Sequence, residues 1–153
     1  MKITKASDYA LVLLSHLANL PSGEKVSVRQ VAGSCHIPQR FLATIVHRLS
    51  KAGLIRSMKG SNGGIRLARP GSEITLRHVL DAIEGPIRMV ECQQQKGACR
   101  MEDECPAKGF WDVVHERILD SFGSITIGEI IKHSLPGKEG ATGEPSHQRK
   151  LNP

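Results

Sequence analysis

Three cysteines lie within fourteen residues of one another: Cys92, Cys99 and Cys105, spaced C-x6-C-x5-C with Pro106 after the last. Clustered thiols in a reducing compartment point to metal or redox chemistry rather than to a disulfide framework. Structural zinc prefers C-x2–4-C knuckles and a fourth Cys or His; here the spacings are long and no His lies inside the loop. Thiolates spread along a flexible loop can instead reach different irons of one cluster, and Gly97 keeps the segment pliable. Structural zinc and unligated redox thiols are the alternatives. Three thiolates leave one ligand open, with Cys35, His36, Asp8, His115 or a solvent species as candidates. Two of these have plainer roles: Cys35 as a small buried hydrophobe and Asp8 as a first-turn carboxylate favoured by the helix dipole. A weak oxygen ligand would suit a sensor, because a small attacking molecule could displace it.

The second chemistry is recognition of a polyanion. The net charge of the 153-residue chain is +6, and it is unevenly spread. Residues 1–80 carry twelve Lys and Arg against three Asp and Glu, whereas residues 81–123 carry five against nine. A basic unit of this size commonly meets nucleic acid, although charge alone speaks only to non-specific affinity. Position sharpens the argument. Ser27 is a plausible N-cap for a short helix over 28–34, followed by a turn through Cys35-His36-Ile37. Pro38 is expected at the first position of a second helix that runs to about Ala52 and stops at Gly53. Leu54–Lys59 and Ile65–Ala68 then read as two strands around Gly60-Ser61-Asn62-Gly63-Gly64, where Asn-Gly is a hairpin signal because both residues tolerate positive φ. A helix-turn-helix followed by a basic hairpin is a winged helix; an unrelated small α+β domain with a surface hairpin is the plainer alternative.

The second helix presents Gln39, Arg40, Ala43, Thr44 and His47 to solvent, and a helix in the major groove reads bases with its N-terminal residues. Gln39 matches an adenine edge and Arg40 a guanine edge, unless Arg40 meets only phosphate. Arg48 and Lys51 read as backbone clamps, and Arg56, Lys59 and Arg66 suit phosphate or minor-groove contacts. Arg29 and the wing-tip residues Ser61, Asn62 and Gly63 complete the candidate DNA-binding set.

These elements need a frame. A first helix over Thr4–Leu20 carries one apolar stripe, Ala10, Leu13, Leu14 and Leu17, and a second face, Leu11 and Val12, that a partner could cover. Thr75 starts another helix, with Leu76, Val79, Leu80 and Ile83 inward, stopped by Gly85-Pro86. Trp111, Val114, Ile118 and Phe122 stripe a longer helix, and a short one follows at Thr126–Lys132. They hold more apolar surface than a small winged helix needs, which suggests a dimer interface. The fold class is therefore mainly α (α+β): a winged helix-turn-helix DNA-binding domain with a C-terminal dimerisation helix. Residues 1–84 form the DNA-binding domain, 85–107 the cysteine-rich cluster-binding loop, 108–133 the dimerisation helix and short following helix, and 134–153 a disordered tail.

Composition closes several alternatives. Aromatic residues are only 3%, too few for a stacking platform on single strands. No apolar run reaches the roughly 18 residues of a membrane span, and Ala10–Leu20 does not read as a signal peptide, so a cytoplasmic location is expected. The chain has no G-x-S-x-G, Walker loop, HExxH or dinucleotide fingerprint, which argues against an enzyme. A small electron carrier is disfavoured by the basic half and the helix-turn-helix.

Met1-Lys2-Ile3-Thr4 with Ser7-Asp8-Tyr9-Ala10, the wing Gly60-Ser61-Asn62-Gly63-Gly64-Ile65-Arg66-Leu67 and the three-cysteine loop together resemble the IscR/NsrR family of bacterial winged-helix repressors, over about residues 1–133. Glu84-Gly85-Pro86-Ile87, Glu91-Cys92 and Cys105-Pro106 with Trp111 are most similar to the branch that regulates SUF iron–sulfur assembly genes. The resemblance implies a homodimer on a partly palindromic double-stranded operator, with the helix near 108–123 crossing its mate. It also implies an iron–sulfur cluster on Cys92, Cys99 and Cys105. Where the IscR-like branch completes a [2Fe–2S] site with a His three residues after the third cysteine, this chain has Lys108. In nitric-oxide-sensing relatives an aspartate matching Asp8, donated by the partner subunit, completes a [4Fe–4S] site. The resemblance thus favours [4Fe–4S] with Asp8, with [2Fe–2S] as the alternative. The expected function is a repressor of SUF-type genes. A nitric-oxide-sensing repressor and a structural-zinc interaction module are the alternatives.

Overall fold

The computed structural model describes residues 3–134. The expected disordered tail lies, from residue 135 onward, outside the described residues. Helix α1 (Lys5–Ala18) begins at Thr4, whose Oγ1 accepts the Ala6 amide. It buries Ala10, Leu13, Leu14 and Leu17 in the centre of the core, as a 3.6-residue period requires. Its second apolar face divides: Leu11 packs at the core margin, while Val12 stays exposed.

Helices α2 (Val28–Ser34) and α3 (Gln39–Lys51) form the helix-turn-helix. Ser27 caps α2 in a reciprocal box with Gln30, which satisfies two otherwise orphaned amides. The turn holds His36 at φ 53° and buries Ile37. Pro38 precedes the first helical residue rather than occupying it, because its ψ of 132° is extended. Leu42, Ile45 and Leu49 anchor α3 in the core, and Gly53, at φ 70°, ends the turn that follows it.

Strands β1 (Ile55–Met58) and β2 (Gly64–Leu67) pair antiparallel with Ile55 opposite Leu67 and Arg56 opposite Arg66. Val26 adds a one-residue third strand through reciprocal bonds with Ile65. The hairpin forms where expected but for a different reason. Positive φ falls on Gly60 and Gly64, flanking Asn62-Gly63, and the Gly63 amide closes a turn onto the Gly60 carbonyl at 2.9 Å. Gly63 is required by space: a Cβ there would sit 2.4 Å from the Met58 carbonyl oxygen.

A 3-10 turn (Gly71–Glu73) leads to α4 (Leu76–Glu84), capped by Thr75 with His78 and stopped by Gly85 at φ 85°. The cysteine loop contains one short helix, α5 (Glu91–Gln94). Helix α6 (Lys108–Ser124) packs on α4 and buries none of its residues. Helix α7 (Ile127–Ser134) returns to α1 and the 3-10 turn. Ile127 is fully buried; its amide donates to the Ile74 carbonyl, and the Leu76 amide donates to the Ile125 carbonyl. The short last helix therefore completes the core built by residues 4–84, while α6 projects from it. Among the described residues, no helix is long and apolar enough to cross a membrane.

Replacing Gly63 with Ala drives a methyl group into backbone and should destabilise the protein by about 1–3 kcal/mol. Gly33→Ala, with nothing within 4 Å of the new carbon, is the control and should be stabilising by about 0.5–1 kcal/mol. Urea midpoints at constant m-value measure both.

Candidate nucleic-acid interface and cysteine loop

The solvent side of α3 carries Gln39, Arg40, Thr44 and His47, all exposed. Arg40 lies over the Phe41 ring at 5.2 Å, and Phe41 meets Tyr9 edge-on at 5.1 Å, so the start of α3 is braced against α1. Arg29 is exposed on α2 and Lys51 at the end of α3. On the wing, Arg56, Lys59, Ser61 and Asn62 are exposed and Gly63 is half-buried. Lys25 donates to the Asn62 carbonyl and ties the wing tip to the segment before α2.

Arg48, exposed on α3, also has a partner within the fold. Its guanidinium donates to the Ile83 carbonyl in the last turn of α4, where the unsatisfied carbonyls and negative helix end favour a cation. Arg48 therefore joins α3 to α4. Next to it, Glu84 accepts from the Thr4 amide at 3.2 Å and from the hydroxyls of Thr4 and Ser7. Burial raises the Glu84 carboxyl, but the hydroxyls of Ser7 and Thr4, the Thr4 amide and the Arg48 charge outweigh it and hold it below the usual carboxylate range. Sequence reasoning missed this role for Glu84; its only visible signal was an acid just before a Gly-Pro stop.

The cysteine loop starts directly after this junction. Ile87 is buried, and its carbonyl lies 2.8 Å from His115 Nε2 on α6, so that histidine is already engaged. Gln93 accepts from the Met89 amide at 3.1 Å and donates to the Trp111 carbonyl at 3.3 Å, fastening α5 to α6. Glu102 accepts from the Gly97 amide at 2.6 Å and pairs with Lys108 at 3.8 Å. Lys108 thus latches the loop. Gln93 and Glu102 also escaped the sequence reading, because no period or motif marks them.

Cys92, Cys99 and Cys105 are half-buried and free. Among the described residues, no three His, Cys, Asp or Glu side chains converge closely enough to hold a single metal ion. The donor set of three thiols on one loop fits an iron–sulfur cluster, whose thiolates attach to separate irons and need not meet at a point. Cys35 caps the end of α2 against the core, and burial pushes its thiol up, which disfavours the thiolate a metal needs. His36 is exposed in the helix-turn-helix turn, in α1's domain and outside the loop. Asp8 is exposed in the first turn of α1, 3.5 Å from Lys5.

Comparison with known proteins decides the class. Residues 3–133 match the Rrf2 family, described as an iron-dependent transcriptional regulator. The chain belongs to the Rrf2 family. It is 39% identical over 119 residues to the HTH-type transcriptional regulator NsrR of Shouchella clausii, covering 77% of this chain and 78% of that one. Among solved structures, this Rrf2 regulator is similar to CymR, the global cysteine regulator of B. subtilis, with a TM-score of 0.71 at 27% identity. That match covers 88% of this chain and 98% of CymR. T. potens IscR shares the fold at a TM-score of 0.69 and 23% identity, covering 92% and 94%. The winged-helix fold is thereby shown, and this Rrf2 member is a transcriptional regulator rather than an enzyme.

The Glu84 junction has a pH signature. A carboxyl held low in the folded state contributes stability that is present above its unfolded value, about 4.3, and lost as pH falls through the folded one. Glu84→Gln should flatten the fall in urea midpoint below that pH, while leaving the neutral-pH slope unchanged.

Proposed function

We propose that this Rrf2 regulator is a homodimeric repressor that binds a partly palindromic operator through α3 and the wing, under the control of an iron–sulfur cluster on Cys92, Cys99 and Cys105. Its targets in this reading are SUF-type iron–sulfur assembly genes. One observation carries the proposal: the three thiols share a loop that continues from the end of α4 and is fastened to α6 by Gln93 and by the Ile87 carbonyl.

The DNA set is Gln39, Arg40, Thr44 and His47 for base edges, with Arg29, Lys51, Arg56, Lys59 and the Ser61-Asn62-Gly63 tip for backbone and minor groove. The dimer forms along α6, where Phe110 is 63% exposed and Val113 48% exposed in a single chain. Large exposed apolar side chains on one helix are the mark of an interaction face. The cluster is [4Fe–4S], with Asp8 of the partner subunit as the fourth ligand. Asp8 is exposed, its one ion pair being a solvent-exposed contact with Lys5, whereas His115 is engaged with the Ile87 carbonyl. When bound, the group supplies a linkage among loop thiolates that iron supply, oxidants and nitric oxide can alter. The chain's own residues carry the consequence. A shift of the loop pulls on Glu84 and Ile83, which hold α1 through Thr4 and Ser7 and α3 through Arg48. Recognition helices that must meet half-sites about one helical turn apart lose affinity when their separation changes. A nitric-oxide-sensing role is the second reading, supported by the identity to NsrR.

Anaerobic native mass spectrometry with a visible spectrum tests the cluster. A dimer with four irons and four sulfides per subunit is expected, and Cys99→Ala should abolish the visible absorption. Two irons and two sulfides would move the fourth ligand away from Asp8, and zinc alone would replace the cluster reading with the interaction module. Stoichiometric bleaching at low nitric oxide would select the second reading.

Arg40→Ala should weaken cognate operator binding by about 1–3 kcal/mol and relax specificity at one base pair. An equal loss on all sequences in a binding titration would make Arg40 a phosphate contact.

A further inference from the structure

A second charged feature lies behind the wing. The turn that follows α1, the outer face of the β-sheet and the segment entering the 3-10 turn enclose an open cavity of about 550 Å³. Arg56, Arg66 and Arg69 line it. Arg56 and Arg66 stand directly opposite each other across the β1–β2 pair, a placement that is destabilising for like charges. Among the described residues, no carboxylate lies within 4 Å of any of the three guanidinium groups. Glu24, which also lines the cavity, forms no such pair. The Nε atoms of Arg66 and Arg69 are buried and have no hydrogen-bond partner. Gly23, at φ 82°, brings the turn alongside Arg66: a Cβ there would lie 3.8 Å from Arg66 Nη1.

We propose that this cavity is an oxyanion site that takes a phosphate group between Arg66 and Arg69, with Arg56 at its edge. Three cations lining one open cavity without a carboxylate partner repel one another. A phosphate offsets that repulsion. The guanidinium fork matches phosphate oxygens bidentately, and the cavity is wide enough for a phosphate ester. The phosphate comes either from a small soluble phosphate compound or from the backbone of DNA flanking the operator core. Arg66 and Arg69 thereby add a site outside the base-reading helix. The soluble-phosphate source is independent of the DNA-binding proposal, and only the backbone source rests on it.

The experiment uses the full chain and two arms. In the first, inorganic phosphate replaces chloride at constant ionic strength while thermal unfolding and calorimetric binding are followed. Phosphate should raise the wild-type melting temperature by mass action. Arg66→Gln and Arg69→Gln should each weaken phosphate binding about tenfold, the loss of one charge-assisted contact. Arg66→Lys, which keeps the charge but not the fork, should bind more weakly than wild type. In chloride alone both Gln variants should be at least as stable as wild type, because repulsion is relieved.

In the second arm, affinity for a duplex of arbitrary sequence is measured against salt. If the backbone supplies the phosphate, Arg66→Gln should make the slope of log K against log salt shallower by about 1. A phosphate effect removed by the variants assigns a soluble ligand. A changed slope without a phosphate effect assigns the DNA backbone. No phosphate effect together with an unchanged slope overturns the proposal, as does a phosphate effect equal in all variants. Loss of stability of both Gln variants in chloride also overturns it, because the guanidinium groups would then be serving the fold. If the wild type binds no duplex at all, that failure belongs to the DNA reading, and the first arm still decides the site.

Discussion

The last turn of α4 is the point through which the working parts of the molecule are joined. Helix termini leave carbonyls without intrahelical partners, and here the Ile83 carbonyl takes the Arg48 guanidinium from the recognition helix. One residue later the Glu84 carboxylate gathers the Thr4 amide and the hydroxyls of Thr4 and Ser7 from the start of α1. Gly85 then turns the chain out into the cysteine loop at φ 85°, a conformation that favours glycine. Three segments far apart in sequence therefore share one short stretch of backbone.

The remaining contacts of the loop point the other way, to α6. Gln93 and the Ile87 carbonyl hold it there, and the Glu102 latch links Gly97 to Lys108. Helix α6 itself is lightly held: it buries no residue of its own in the single chain, and it carries Phe110 and Val113 in the open. A helix with that much uncovered apolar surface is stabilised by what packs on it.

Electrostatics follow the same division. Half of the cations of the basic first half lie on α3 and the wing, and in the acidic middle Glu84 and Glu102 accept hydrogen bonds from within the fold. Arg48 shows that a charge can have a partner that its type does not disclose: only the fold brings the Ile83 carbonyl within its reach.

Much of this was legible beforehand. The apolar period of α1 and α3, the Ser27 cap, the Gly53 and Gly85 stops and the wing hairpin are local signals, each set by neighbours within a few residues, and the elements follow them closely. The three clustered thiols were equally plain. What residues far apart do to one another was not. The wing turn uses Gly63 for space rather than for φ because the Met58 and Gly60 carbonyls crowd it. Helix α7 closes the core because Ile127 fits beside Ile74. The Glu84 junction, the Gln93 and Glu102 tethers and the three facing arginines behind the wing leave no periodic trace. By itself the sequence determined the kinds of elements and the chemistry they carry, since both depend on local spacing. The tertiary structure alone decided which charges serve the fold and which stay free for a ligand, because a partner distant along the chain is fixed only when the core assembles.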